Sequence, residues 1–535
     1  MTVARSAHVD TFTRDNLPPR DTWPEFRFDL PELQYPHELN CGEALLDRQA
    51  LGGRGDSRCI VMDELAWTYR ELLEHANQVA NVLVKEVGLL PGNRVLLRGP
   101  NNAWNAAAWF GVIKAGGVAV STMPLLRAGE LSTTASMAEV EIAICDHRFT
   151  ADLAAAAIPN LSLLRYGGGE PGDLEQLAVR QPAEFENVAT AADDVCLLAF
   201  TSGTTGKPKA TMHFHRDVLA ICDTFSRHVL RPSPEDLFTG TPPLAFTFGL
   251  GGLLLFPLHA GASTLLLEQA PPDRLVEAIA RHGVTTLFTA PTAYRALTPL
   301  LAEAPAPSLR RCVAAGETLP KSTWNAFREA TGISIIDGIG STEMLHIFIS
   351  AADDEVRPGS TGMAVPGYMA EVQDADGGPV PDGEIGHLAV KGPTGCRYLR
   401  GDRQSTYARN GWNLTGDVYV RDADGYFGYQ ARSDDMIISA GYNIAGPEVE
   451  EALLGHPAVA EVAVVGLPDS ERGMIVKAFV VARPELARDE SGAKVLQDFV
   501  KTSIAPYKYP RQVEFVDALP RTATGKLQRF RLREP

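Results

Sequence analysis

Over roughly its first 190 residues the sequence alternates two apolar patterns, and this alternation constrains the fold more than any other feature. The stretch TYRELLEHANQVANVLVKEV, Thr68 to Val87, repeats its apolar positions at helical spacing. RVLLRG follows as a short apolar strand, then WNAAAWFGVIKAG as a helix and VAVSTM as a strand. Strands separated by helices come to lie parallel, with the helices covering the sheet faces. The same rhythm returns in DRLVEAIARHG before VTTLFTA, and in STWNAFREATG before ISIIDGIGSTE.

One of these strands, VCLLAF, runs into TSGTTGKPKA, Thr201 to Ala210. That loop has almost nothing to bury. It offers glycines for close backbone approach, successive N–H groups, several hydroxyls, and Lys207 and Lys209. Such a set suits a polyanion, and a strand leading into it is where α/β proteins hold phosphates. It is not a Walker A loop. Only Thr204 and Thr205 separate Gly203 from Gly206-Lys207, and Pro208 stands where a magnesium-binding hydroxyl is required.

After about Gly359 the texture changes. AEVQDADGGPVPDGEIGHLAVKGP has short alternating strands with Gly, Pro and Asp turns, as in a small antiparallel β unit. The tail then reads helix, strand, strand, helix: GPEVEEALLGHPAVAEVAVVGLPD, MIVKAFVVAR and AKVLQDFVKTSI. The expected fold class is α/β. A large N-terminal domain, residues 1–433, holds parallel α/β subdomains and the small β unit; a mobile α+β domain, 434–535, follows the polar joint ARSDD.

Composition narrows the partners. The net charge of −17 argues against nucleic acid and anionic membranes. The seven cysteines include no CxxC pair, which fits reduced thiols in a cytoplasmic protein better than a disulfide frame or a zinc site. No signal core opens the chain. The long apolar run from Phe248 to Leu267 is interrupted by Pro257, His259 and glycines and reads as buried core.

Five motifs occur in order: TSGTTGKPKA, AAGETLP (Ala314 to Pro320), DGIGSTE (Asp337 to Glu343), NLTGD (Asn413 to Asp417) and PRTATGKLQR (Pro520 to Arg529). With ARSDDMIISAGYNIAGPEVE they resemble the acyl-adenylate-forming superfamily over nearly the whole chain. The resemblance implies ATP, Mg2+ and coenzyme A as partners. The β- and γ-phosphates would lie on Thr201, Ser202, Gly203, Thr204, Thr205, Gly206 and Lys207. Glu343 would bind magnesium and Thr342 would meet the α-phosphate. Asp417 would take the ribose hydroxyls, with Arg432 and Tyr429 nearby. Gly316, Glu317, Thr318, Asp337 and Gly338 would wall the adenine. Lys526 would bridge the attacking carboxylate and the α-phosphate, and Asp434 would be a hinge.

Finer likenesses point to the aromatic acid–CoA ligase branch. GSTEMLHIFIS is similar to benzoate- and 2-aminobenzoate-CoA ligases, and PPLAFTFGLGG supplies aromatics. The implied acid pocket is Phe246, Thr247, Phe248, Gly340, His346 and Ile347; Ala440, Gly441, Tyr442 and Arg472 would adjoin CoA. Ala440 departs from the glycine many relatives carry there. Lys477 and Lys508 are further basic candidates for the nucleotide end of CoA. The expectation is a monomeric or homodimeric ligase of aromatic compound metabolism, closest to 2-aminobenzoate-CoA ligase. Alternatives are a benzoate-CoA ligase, an adenylation enzyme loading a separate carrier protein, and a non-catalytic nucleotide sensor. The absence of a carrier domain after Lys526 favours free CoA.

Overall fold

The structure is a computed structural model. It describes all residues except 1–4, 203–207, 402, 434, 440–441, 470–471, 522–526 and 534–535, and the side chains of residues 202, 442 and 443 are also outside it.

Thr68 caps the first long helix, Tyr69–Val82, in a reciprocal box with Glu71. The helix continues through a wider turn to Val87, and Gly88, at φ 78°, ends it. Its apolar face packs on the helix Ala103–Lys114, which is buried almost all round. The first helix packs against the strands Arg58–Val61 and Ala66–Thr68 of another sheet, and the second covers a six-stranded sheet ordered Ser162–Tyr166, Ile142–Asp146, Arg94–Arg98, Val118–Thr122, Val195–Ser202, Pro208–Phe214. All its neighbours are parallel except the last pair, a hairpin that flanks residues 203–207.

A nine-stranded sheet contains the second parallel set. From Arg58–Val61 it passes through Ser263–Leu265, Leu237–Gly240, Thr286–Thr289 and Arg311–Ala314 to Ile335–Gly340, with antiparallel strands at each edge. The expected βαβ rhythm is therefore present. The apolar run Phe248–Leu267 is core: Leu253, Leu254, Leu255, Phe256 and Leu258 have no exposed surface. Among the described residues no helix is long and apolar enough to cross a membrane.

The third sheet is antiparallel and joins Met369–Gln373, Ile385–Lys391, Trp412–Arg421 and Phe427–Arg432, as the turn-rich texture predicts. The chain then changes sheet. Ile437–Ser439 pairs with Tyr442–Ile444 and Gly473–Ala482, and the latter pairs with Val459–Asp469 and Gln512–Phe515. The helices Gly446–Leu454 and Glu490–Ser503 pack on this fourth sheet. Polar contacts among the described residues tie it to the rest: Glu451 accepts from the Ser322 N–H at 2.8 Å, Arg295 reaches the Ala460 carbonyl at 3.4 Å, and Arg521 lies 3.7 Å from Glu317.

All seven cysteines are buried and unpaired. Spacing had argued against a metal site, yet the fold gathers donor atoms of Cys41, Cys196 and His215 within 4.8 Å of one another. His215 Nδ1 there accepts the Cys41 backbone N–H at 3.1 Å, while Cys196 Sγ lies 3.6 Å from the His213 carbonyl, and all three side chains are buried.

Candidate functional site

Ligands of α/β sheets sit beyond the carboxyl ends of parallel strands. Here the strands Val195–Ser202, Thr286–Thr289, Arg311–Ala314 and Ile335–Gly340 release, in turn, residues 203–207, the segment before Thr292, the loop Gly316–Thr318 and the turn Ser341–His346. The last three follow neighbouring parallel strands of the nine-stranded sheet, whereas Val195–Ser202 belongs to the six-stranded sheet.

Thr201 and Ser202 close their strand opposite Lys209 and Pro208. Gly203, Thr204, Thr205, Gly206 and Lys207 lie outside the described residues, as do Lys526, Asp434, Ala440 and Gly441. The flanks of the Lys526 segment are described: Arg521 and Leu527 form an antiparallel bridge, and Arg521 also pairs with Glu461 at 2.7 Å.

The turn after Ile335–Gly340 is held from beneath. His213 Nε2 meets the Thr342 carbonyl at 2.9 Å, and Thr394 donates to the Met344 carbonyl at 2.8 Å. His213 stands over Asp217, which is ion-paired with the buried Arg397. Burial alone would raise the Asp217 carboxyl, but Arg397 and His213 hold it below its ordinary value. Leu345 takes a positive φ of 69°, so the backbone reverses sharply between Glu343 and the following strand. Glu343 is half-buried and accepts a hydrogen bond from the Tyr398 hydroxyl. Burial first, and then that carboxylate, push the Tyr398 phenol far above its usual range, which keeps it a donor.

Asp417 and Arg432 are register partners in adjacent strands and form an ion pair at 3.0 Å. Tyr429 packs edge-on against Tyr419 at 5.5 Å beside them. In the loop after Arg311–Ala314, Glu317 accepts from Thr292 at 2.6 Å, while Gly316, at φ 91°, and Thr318 are exposed. Asp337 lies close to Gly338; burial pushes its carboxyl up to about 8, with the Gly338 backbone opposing. The Ser350 hydroxyl donates to the Asp337 carbonyl at 2.6 Å.

His346 is 2% exposed and sits among four phenylalanine rings. Centroid distances are 4.5 Å to Phe256, 5.4 Å to Phe225, 5.7 Å to Phe248 and 6.5 Å to Phe288. Neither ring nitrogen has a hydrogen-bond partner. Burial pushes the imidazole down to about 3, with the Phe248 backbone opposing, so the ring is neutral. Gly251 makes this possible: a Cβ there would stand 2.4 Å from His346 Cδ2.

The six expected pocket residues do not all converge. Phe248 joins His346, and Gly340 lies against the His346 carbonyl. Ile347 instead lies over Gly338, because neighbouring residues entering a strand face opposite ways. Phe246 and Thr247 are half-buried at the start of the helix Thr247–Leu250, and among the described residues the Phe246 ring is not part of the cluster. Lys477 and Lys508 are engaged with Glu514 at 2.7 Å and Glu448 at 2.5 Å, while the Arg472 N–H caps Asp469. Sequence reasoning missed Phe225, Phe256, Phe288, Gly251, His213 and Tyr398. No local signal marks them, since each gains its place from a strand or helix far along the chain.

Residues 46–398 match the AMP-binding enzyme family, and residues 448–526 match the AMP-binding enzyme C-terminal domain. The benzoate–CoA ligase of Thauera aromatica is 35% identical over 94% of this chain and 97% of its own length. A 4-hydroxybenzoate–CoA/benzoate–CoA ligase of Rhodopseudomonas palustris is 32% identical over 93% and 94%. Among solved structures, the anthranilate CoA ligase AuaEII in complex with anthranoyl-AMP superposes with a TM-score of 0.88 at 35% identity, over 94% of this chain and 98% of that one. With both family matches in chain order and these relatives spanning nearly its full length, the chain belongs to the AMP-binding enzyme family.

Proposed function

We propose that the protein is an ATP-dependent aromatic acid–CoA ligase whose preferred acid is 2-aminobenzoate. The observation that carries the choice of acid is His346: a buried, neutral imidazole in an aromatic box, with both nitrogens unpartnered, three residues after Glu343 in the same turn. Buried polar groups without partners are uncommon. A flat acid with an ortho amino group would stack among the rings and pair one nitrogen. Similarity to the anthranilate CoA ligase structure supports this reading. The Thauera benzoate–CoA ligase favours a second one, in which benzoate is the acid and His346 only packs.

In the first half-reaction a carboxylate oxygen of the acid forms a bond to the α-phosphorus of ATP, and the bond from that phosphorus to the bridging oxygen breaks, releasing pyrophosphate. The phosphate loop Thr201 to Lys207 holds the β- and γ-phosphates. Thr342 and Lys526 stabilise charge at the α-phosphate, and Asp417 with Arg432 fixes the ribose. Gly316, Glu317, Thr318, Asp337 and Gly338 seat the adenine. Glu343 offers a hard oxygen donor beside that phosphate path, which fits Mg2+. The cation, when bound, neutralises phosphate charge. In the second half-reaction the CoA thiol gives its proton to solvent, its sulfur forms a bond to the acyl carbon, and the bond from that carbon to the phosphate oxygen breaks, releasing AMP. Residues 434–535 form the small domain in this reading. It brings Lys526 to the first step and then turns about Asp434, so that Ala440, Gly441 and Tyr442 admit the thiol. The Arg521–Glu317 proximity supports a small domain docked over the nucleotide side.

ATP–pyrophosphate exchange across a panel of acids, followed by thioester formation with free CoA, tests the assignment. The expected order is 2-aminobenzoate, then benzoate, with acetate and long fatty acids poor. A preference for fatty acids overturns the aromatic pocket, and exchange without any thioester from free CoA overturns the CoA assignment.

A further inference from the structure

Tyr398 stands on a segment that runs beside the phosphate-loop hairpin. Its neighbours are hydrogen-bonded to the strand Pro208–Phe214: the Met212 N–H donates to the Arg397 carbonyl at 2.8 Å, and the Leu399 N–H to the Ala210 carbonyl at 2.9 Å. The buried Gln404 side chain clamps the same segment, accepting from the Tyr398 N–H at 3.0 Å and donating to the Cys396 carbonyl at 2.9 Å. Gln404 opens the short helix that ends at Tyr407. The backbone around both tyrosines is therefore fixed relative to the strand that carries Lys209.

From this frame the two phenols reach opposite ends of one site. The Tyr398 hydroxyl donates to Glu343 Oε1. Its ring meets the Tyr407 ring edge-on, with centroids 5.2 Å apart and planes at 84°. Lys209 Nζ donates to the Tyr407 hydroxyl at 2.5 Å and lies 4.1 Å from the centre of that ring. The path Glu343, Tyr398, Tyr407, Lys209 is continuous, and it joins a turn of the nine-stranded sheet to a strand of the six-stranded sheet 134 positions earlier.

We propose that Tyr398 is a positioning residue: it aims the Glu343 carboxylate at a divalent cation and, through Tyr407, couples that carboxylate to Lys209 beside the phosphate loop. This rests on the reading of Glu343 as the cation ligand. A carboxylate free to rotate has to be ordered when the cation arrives, whereas one held by a fixed donor is already placed. Removing such a supporting hydrogen bond commonly weakens metal binding about 10- to 100-fold. Tyr407 acts at the other end, where Lys209 meets the phosphates, so its loss falls on ATP affinity.

The experiment uses the full chain and the variants Tyr398→Phe, Tyr407→Phe and Glu343→Gln. Mn2+ binding in the presence of ATP is followed by the resonance of free Mn2+, and ATP–pyrophosphate exchange is titrated with Mg2+. Tyr398→Phe keeps the ring and is expected to raise both the Mn2+ dissociation constant and the Mg2+ half-saturation about tenfold or more, with a smaller change in kcat. Tyr407→Phe is expected to raise the KM for ATP instead. If Glu343→Gln shifts the cation dependence and Tyr398→Phe does not, the coupling is refuted while the cation role of Glu343 stands. If Glu343→Gln leaves it unmoved, that role fails and takes the inference with it. A Tyr398→Phe variant that loses melting temperature and kcat at unchanged cation half-saturation shows a packing residue only, and also refutes the proposal.

Discussion

Replacing His346 by leucine separates the polar reading of the acid pocket from the packing reading. Leucine has nearly the volume of histidine and keeps the box filled, but it removes both unpartnered nitrogens. One net hydrogen bond contributes about 0.5–1.5 kcal/mol, so His346→Leu is expected to lower kcat/KM for 2-aminobenzoate relative to benzoate by about 2- to 13-fold. Benzoate itself should change little. His346→Ala, by contrast, empties the box and should impair both acids, with a stability loss of a few kcal/mol, as for other large buried truncations (about 2–5). The imidazole also leaves a signature in pH. Its folded value of about 3 lies below the unfolded 6.5, which makes the imidazolium about 5 kcal/mol costlier in the box than in the unfolded chain. The stability this gives is full above pH 6.5 and is lost as pH falls towards 3. His346→Leu has no such loss, so its melting temperature should gain on wild type steadily below pH 6.5. Steady-state thioester assays with both acids from pH 6 to 8.5, beside thermal melts from pH 4 to 8, read all of this. An unchanged acid ratio in His346→Leu refutes the amino-group contact; a step in the wild-type ratio near pH 6.5 refutes the buried neutral ring.

Three further outcomes are expected. Lys526→Ala should slow adenylation roughly a thousandfold, since one charge pair at ~4 Å and an effective dielectric of ~20 contributes about 4 kcal/mol, while thioester formation from supplied acyl-AMP is spared; adenylation at near wild-type rate removes the lysine from the first step. Asp434→Pro, by fixing φ, should leave pyrophosphate exchange measurable and impair thioester formation, and an equal loss of both argues against the hinge. Asp337 is pushed up to about 8, so the KM for ATP in wild type should change as pH rises through 8, whereas Asp337→Asn should show a flat profile. Because that folded value lies above the unfolded 3.8, wild-type stability relative to Asp337→Asn should decline from about pH 4 to 8, and parallel melting curves across that range would remove the raised carboxyl from the account.

The fold was legible where local pattern and tertiary demand agree. The helix Tyr69–Val82 has its cap, its periodic face and its terminating glycine in one continuous stretch. The strand Val195–Ser202 has an apolar run ending at a loop that has nothing to bury. Glu343, Asp417 and Arg432 were named as candidates because each lies in a short contiguous motif; the structure puts Glu343 in a turn and pairs the other two across adjacent strands. The aromatic box was only partly legible, for a geometric reason. His346 and Phe248 were adjacent to motifs, but Phe225 and Phe256 come from the helices Cys222–Leu230 and Phe256–Ala260 and Phe288 from the strand Thr286–Thr289, three elements that only tertiary packing brings to one place. Ile347 shows the converse: proximity in sequence suggested one pocket with His346, and strand alternation turned its side chain over Gly338. Tyr398 is the clearest case. Nothing in GCRYLRGD points to a carboxylate 55 residues earlier; only the pairing of that segment with Pro208–Phe214 places its phenol there. The motifs thus supply the groups proposed to touch substrate, while the groups that aim them come from strand order, and it is these second residues that a sequence motif, being local, has no means to announce.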